Sequence, residues 1–160
     1  SLLLQTSTDI SKKYLDSLTK SIILFVFSSI INASESNFFE DAKKHYEQND
    51  FQKSKFLFQK HLIFNPRDDL SYLYLAKIYN KEENVREEEK NLTTTLLLDP
   101  KNEEALFMLI QIQLDKSNFS EARQLNDRFV LICSKLCKNK KLITEKLNNL
   151  EANDKSKKQN

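Results

Sequence analysis

From residue 35 onward, apolar residues fall at three- and four-residue steps, the spacing of one helical stripe, and the stripes themselves recur. Phe38 and Ala42 lead to the polar His45. Tyr72, Leu75, Ala76 and Tyr79 repeat the figure 34 residues later, and Leu106, Leu109, Ile110 and Gln113 repeat it again. A short polar turn ending on an apolar residue follows each stripe: Asn49-Asp50-Phe51, Glu83-Asn84-Val85 and Ser117-Asn118-Phe119. Behind each turn runs a second stripe, through Ser54, Phe58 and Leu62, through Glu88, Leu92 and Leu96, and through Ala122, Asn126 and Val130. Two rows close on the same kind of phrase, Asn65-Pro66 and Asp99-Pro100, where proline cannot continue a helix.

The pattern predicts an all-α chain of about three helix-turn-helix repeats, over residues 35–68, 69–102 and 103–134, stacked as an alpha-alpha superhelix. A last amphipathic stretch, with Leu136, Leu142, Ile143, Leu147 and Leu150 on one side and Lys138, Lys140, Lys141, Glu145 and Lys146 on the other, predicts a C-terminal capping helix over 135–151. Residues 152–160 are expected to be a basic, disordered tail.

Composition narrows the chemistry. The 160 residues are 39% hydrophobic and 30% charged, enough apolar material for one packed core under a polar surface. There is no glycine, which removes phosphate-cradling Gly-rich loops and the Gly-containing nucleophile elbow. A net charge of +2 does not point to a nucleic acid, although residues 135–160 carry eight lysines against three acidic residues. The two histidines, His45 and His61, sit at core or semi-core phase with no further metal-ligand residues beside them in sequence, so no metal, cofactor or catalytic residue is implied. The acidic run Glu82, Glu83, Glu87, Glu88, Glu89 interleaves with Lys81, Arg86 and Lys90 as a solvated helix start would. The expectation is a protein that is not an enzyme.

The three rows together resemble the tetratricopeptide repeat family. Row two carries Tyr72, Leu75, Ala76, Tyr79, Leu92 and Pro100; row one carries Phe38, Ala42, Phe51, Phe58 and Pro66; row three carries Leu106, Leu109, Phe119 and Ala122. Four positions depart from that pattern: Asp41 stands where Leu is expected, Glu88 where a small residue is, Asn126 where an aromatic is, and Ser134 where the third closing proline would fall.

The resemblance implies a concave groove lined by the first helix of each pair and occupied by a peptide or protein partner. Its inner positions read Phe39, Leu73, Phe107, then Lys43, Lys77, Gln111, then Tyr46, Asn80, Leu114. The ladder Phe39, Leu73, Phe107 either offers apolar pockets to a partner or packs between neighbouring first helices. Lys43 and Lys77 beside it would favour an acidic segment. Lys43 and Leu73 stand where the family's chaperone-binding carboxylate clamp needs Asn and Lys, which argues against that subclass.

Ahead of the repeats, an uncharged apolar run at 21–33 follows Lys12, Lys13 and Lys20 and leads to Ala33 and Ser34. It is short for a membrane-spanning helix of about 20 residues. A leader over 1–34 with cleavage after Ala33 fits the run, and implies a periplasmic or secreted protein acting in a bacterial cell envelope. An uncleaved membrane anchor and a buried capping helix are the competing readings. Cys133 and Cys137, four apart, would lie about 6 Å apart at Cα on one helical face, so a disulfide is permitted without being demanded.

Overall fold

In the computed structural model, which describes residues 38–158, seven α-helices follow one another. They are α1 (Phe38–Glu47), α2 (Phe51–Phe64), α3 (Asp69–Lys81), α4 (Val85–Leu98), α5 (Glu103–Asp115), α6 (Phe119–Ile132) and α7 (Lys140–Lys158), with a 3-10 turn at Cys137–Asn139 before the last. The expected leader, with its apolar run, lies outside the described residues. Among the described residues no strand occurs and no helix is long and apolar enough to cross a membrane. Helices pair as α1 with α2, α3 with α4 and α5 with α6, each second helix packs on the next first helix, and α7 closes on α6. The described residues form an all-α solenoid of three helical hairpins with a capping helix. That cap continues to Lys158, through residues expected as a tail.

The hairpins repeat because their turns do. Asn49, Glu83 and Ser117, each 34 residues from the next, have φ of 61°, 56° and 57°. The amides of Asp50, Asn84 and Asn118 donate to the carbonyls of His45, Tyr79 and Gln113 at 2.9, 2.9 and 2.8 Å. This is the helix stop that usually employs glycine at the left-handed residue. With no glycine in the chain, the three residues accept a steric cost on the order of 1 kcal/mol each, least for asparagine. The residue after the stop starts the second helix: Asp50 and Asn84 accept the amides of Lys53 and Glu87 at 3.3 and 3.2 Å. First helices begin the same way, on Asp68 and Asn102, which accept from Ser71 and Ala105 at 3.0 Å each.

Small residues let the paired helices approach. Ala42 and Ala76 are fully buried on the first helices, as are Ser54 and Ala122 on the second helices of the first and third hairpins. Ser54 is itself fully buried and donates its hydroxyl to the Ala42 carbonyl at 2.8 Å. The core falls into two clusters. One holds Ala42, Leu57, Phe58, Leu75 and Ile78; the other runs from Leu73, Ala76 and Leu92 through Leu106, Ile110 and Phe129 to Ile143 and Leu147 of the cap.

The departures from the repeat pattern have physical reasons. Asp41 occupies the position of Leu75 and Leu109, which pack against the preceding hairpin; among the described residues no helix precedes α1 to cover it. Asn126 is buried against the cap, where its Nδ2 donates to Thr144 Oγ1 at 3.3 Å. Ser134 donates its backbone N–H to Glu103 Oε2 at 2.7 Å, a bond that proline could not make.

Two results follow. Leu75→Asp, which buries an unpaired carboxylate, should cost more than about 3 kcal/mol, whereas Asp41→Leu at the same repeat position should stay within about 0.5 kcal/mol of the parent; urea unfolding followed by circular dichroism measures both. Ser134→Pro restores the repeat's closing residue, yet should lower stability by about 1 kcal/mol in the same assay.

Candidate functional site

Three cavities run along the first helices of the hairpins. One of about 170 Å³ touches Phe39, Lys43 and Leu73; one of about 540 Å³ touches Tyr46, Lys77, Asn80 and Phe107; one of about 460 Å³ touches Asn80, Phe107 and Gln111. Eight of the nine groove positions named from the sequence therefore border this line of cavities. Leu114 does not: it is 2% exposed and belongs to the core cluster.

The ladder residues serve packing as well as the groove. Leu73 is 5% exposed and belongs to the core cluster. Phe39 packs its ring on Phe58, His61 and Tyr74 with centroids 5.6, 5.6 and 6.1 Å apart, and Phe107 lies 6.2 Å from Phe129. Tyr74, which also meets Tyr46 at 5.1 Å and Phe58 at 5.0 Å, is the aromatic hub at the α1 end. Tyr74 and Met108 share one phase of the 34-residue repeat and both border the cavities, a signal available in the sequence one position beyond the ladder.

The electrostatics differ from the expectation at Lys77. Its ammonium is 2.9 Å from Glu104 Oε1 and sits over the rings of Tyr46 and Tyr74 at 5.6 and 5.1 Å. Burial pulls its pKa down, but the bond to Glu104 and the attraction of Glu104 and the two tyrosines outweigh it and leave the value raised. Lys77 thus ties α3 to α5, and its charge is answered within the chain. Lys43 has no ion pair among the described residues.

The far wall comes from outside the hairpins. Glu103 Oε2 accepts the amides of Ser134 and Leu136 at 2.7 and 3.3 Å, and Oε1 accepts that of Lys135 at 3.1 Å. The Ser134 bond is the largest influence holding the Glu103 carboxyl below its ordinary value; the other two amides and Lys135 add to it against a cost of burial. This grip sets Leu136 and Lys135 beside the 540 Å³ cavity. Cys133 and Cys137 bracket the gripped segment and are joined by a disulfide, with Cα atoms 5.2 Å apart.

Glu88 borders the 460 Å³ cavity and is 3% exposed, so the repeat phase does not slip at this departure. Burial raises its pKa, and the hydrogen bond from Asn80 opposes the rise without cancelling it. The histidines serve structure: His45 Nδ1 is 2.9 Å from Asp50 Oδ2, and His61 lies under Phe39. No group of three potential metal ligands occurs among the described residues.

With this geometry in place, the fold can be compared with known structures. The sequence matches no family model and no curated protein. Solved structures do match. The Yersinia enterocolitica type III secretion chaperone SycD, in complex with a peptide of the translocator YopD, superposes with a TM-score of 0.62 at 14% identity, covering 74% of this chain and 92% of that one. The Arabidopsis OM64 TPR domain gives 0.63 at 15%, covering 73% and 96%. The second TPR domain of human RPAP3, in complex with an HSP70 peptide, gives 0.58 at 16%, covering 73% and 95%. At these identities the likeness is one of fold: the chain is an all-α solenoid of the tetratricopeptide-repeat type.

The raised pKa of Glu88 has a defined sign. An acid that titrates higher in the folded state costs stability progressively as pH rises from its ordinary value of 4.5 through the raised one. Glu88→Gln keeps the shape and removes that cost, so its stability advantage over the parent should grow across this window and level off above it. Denaturant midpoints of the two proteins between pH 4 and 8 provide the check.

Proposed function

We propose that this chain is a protein-protein interaction scaffold that holds an extended or helical segment of a partner along the groove of α1, α3 and α5. The observation that carries this reading is the line of three cavities, floored by Phe39, Tyr74, Phe107 and Met108 and edged by Lys43 and Asn80. Apolar pockets at repeat spacing with polar groups between them suit alternate side chains of a bound segment. Two of the similar structures are complexes with peptides, which supports the reading by analogy of fold. No step of chemistry is needed for it.

We further propose that the protein is exported and works in a bacterial cell envelope. The support is the apolar run at 21–33 with its basic flank, together with a disulfide that suits an oxidising compartment. The second reading keeps the run uncleaved as a membrane anchor; mass spectrometry of the mature protein from its native cells separates the two by a first residue at Ser34 or an intact leader.

Binding is tested on groove residues outside the buried core. Met108→Glu combined with Lys43→Glu should leave the thermal midpoint within a few degrees of the parent. The same change should weaken by tenfold or more whatever partner the full chain captures from its own cells. Equal capture by both proteins would place binding elsewhere.

A further inference from the structure

The cavity between α4 and α5 is built differently from the other two. Phe107, Met108 and Ile112 form an apolar wall, Asp115 stands at the rim, and Glu88 contributes to the lining from a nearly sealed position. A carboxylate offers about four acceptor positions. Glu88 uses one of them, where Asn80 Nδ2 donates to Oε1 at 3.1 Å. No lysine, arginine or histidine among the described residues lies within ion-pair distance of it.

Two cations of the chain border the cleft, Lys116 in its lining and Lys146 at Asp115, and neither pairs with Glu88. Lys116 is paired with Glu89, whose carboxyl it holds below its ordinary value with help from Gln113. The Lys146 ammonium of α7 lies at the outer rim, 3.3 Å from Gln111 Oε1 and 3.8 Å from Asp115 Oδ1. A cation of the chain itself therefore visits the mouth, and the carboxylate inside the cleft is left with a single amide. At the same repeat position the other hairpins carry Ser54 and Ala122, both fully buried. Packing thus calls for a small residue there. A glutamate there is buried for the return of one hydrogen bond from Asn80, an imbalance that binding sites commonly carry.

We propose that this cleft receives a lysine or arginine side chain from the segment bound in the groove, its aliphatic stem against Phe107, Met108 and Ile112 and its cation on the free acceptor positions of Glu88 and on Asp115. The proposal rests on the groove being a peptide-binding surface, and it names one side chain that the groove selects. Arrival of a cation also removes the penalty that burial places on the Glu88 carboxylate, so the pairing is worth more here than at an exposed site.

The test uses the full chain and a printed array of random twelve-residue peptides, probed with the parent and with Glu88→Gln. Peptides bound by the parent should be enriched in lysine or arginine between apolar residues. Replacing that lysine with norleucine, which keeps the stem and drops the charge, should weaken binding to the parent by about tenfold and leave binding to Glu88→Gln nearly unchanged. Peptides that bind without basic enrichment, or an equal norleucine penalty in both proteins, would overturn the Glu88 assignment and leave the groove standing. An array with no bound peptide at all would overturn both. The thermal midpoint of Glu88→Gln, expected at or above that of the parent at pH 7, shows that any loss is one of recognition.

Discussion

Everything in this molecule depends on a seam that no hairpin can close alone. Helix α3 shows it most directly: Leu75 and Ile78 enter the cluster of the first hairpin, while Leu73 and Ala76, on the opposite side of the same helix, enter the cluster of the third. A helix buried on two sides cannot be satisfied by one partner, so each hairpin is stable only between neighbours. The ends must then be handled separately. Asp41 stands where a leucine would face a preceding hairpin, and among the described residues none precedes α1; at the other end α7 supplies Ile143 and Leu147 to the core cluster.

This division decides what could be read from the sequence. The 34-residue phase exposed many positions whose environment is set by their own repeat: the buried Ala42 and Ala76, the buried Phe58 and Leu92, and the turns through Asn49, Glu83 and Ser117. It failed where the neighbour is not a repeat. Ser134 and Asn126 look like errors in the pattern until Glu103 and Thr144 are seen opposite them. Leu114 looked like a groove residue because Tyr46 and Asn80 share its phase, yet it is buried in the core cluster. Pairings such as Lys77 with Glu104 were equally hidden, since a periodic pattern says which face a residue takes and not whose charge it meets.

The groove inherits its character from the same two sources. Its apolar floor is periodic, because Phe39, Leu73 and Phe107 recur with the hairpins, and all three side chains pack on the core behind them. That commitment makes the floor rigid, so a bound segment would meet pockets already formed and lose less in ordering them. Its polar edge is aperiodic. Lys43 at the α1 end has no ion pair among the described residues, Lys77 is neutralised in the middle, and Glu88 and Asp115 lie toward α5. A repeated floor fixes spacing and cannot by itself tell one direction along the groove from the other; an uneven edge can.

The absence of glycine bears on how such unevenness is tolerated. Each hairpin turn already holds a side chain in the left-handed region, and Glu88 adds a buried carboxylate to the hairpin whose turn uses Glu83. The second hairpin therefore carries two costs that local packing does not repay. It also lies between two other hairpins, and burial of α3 in two clusters offsets part of that cost. A costly side chain is easier to carry where both faces of a helix are buried, and α3 of the middle hairpin meets that condition.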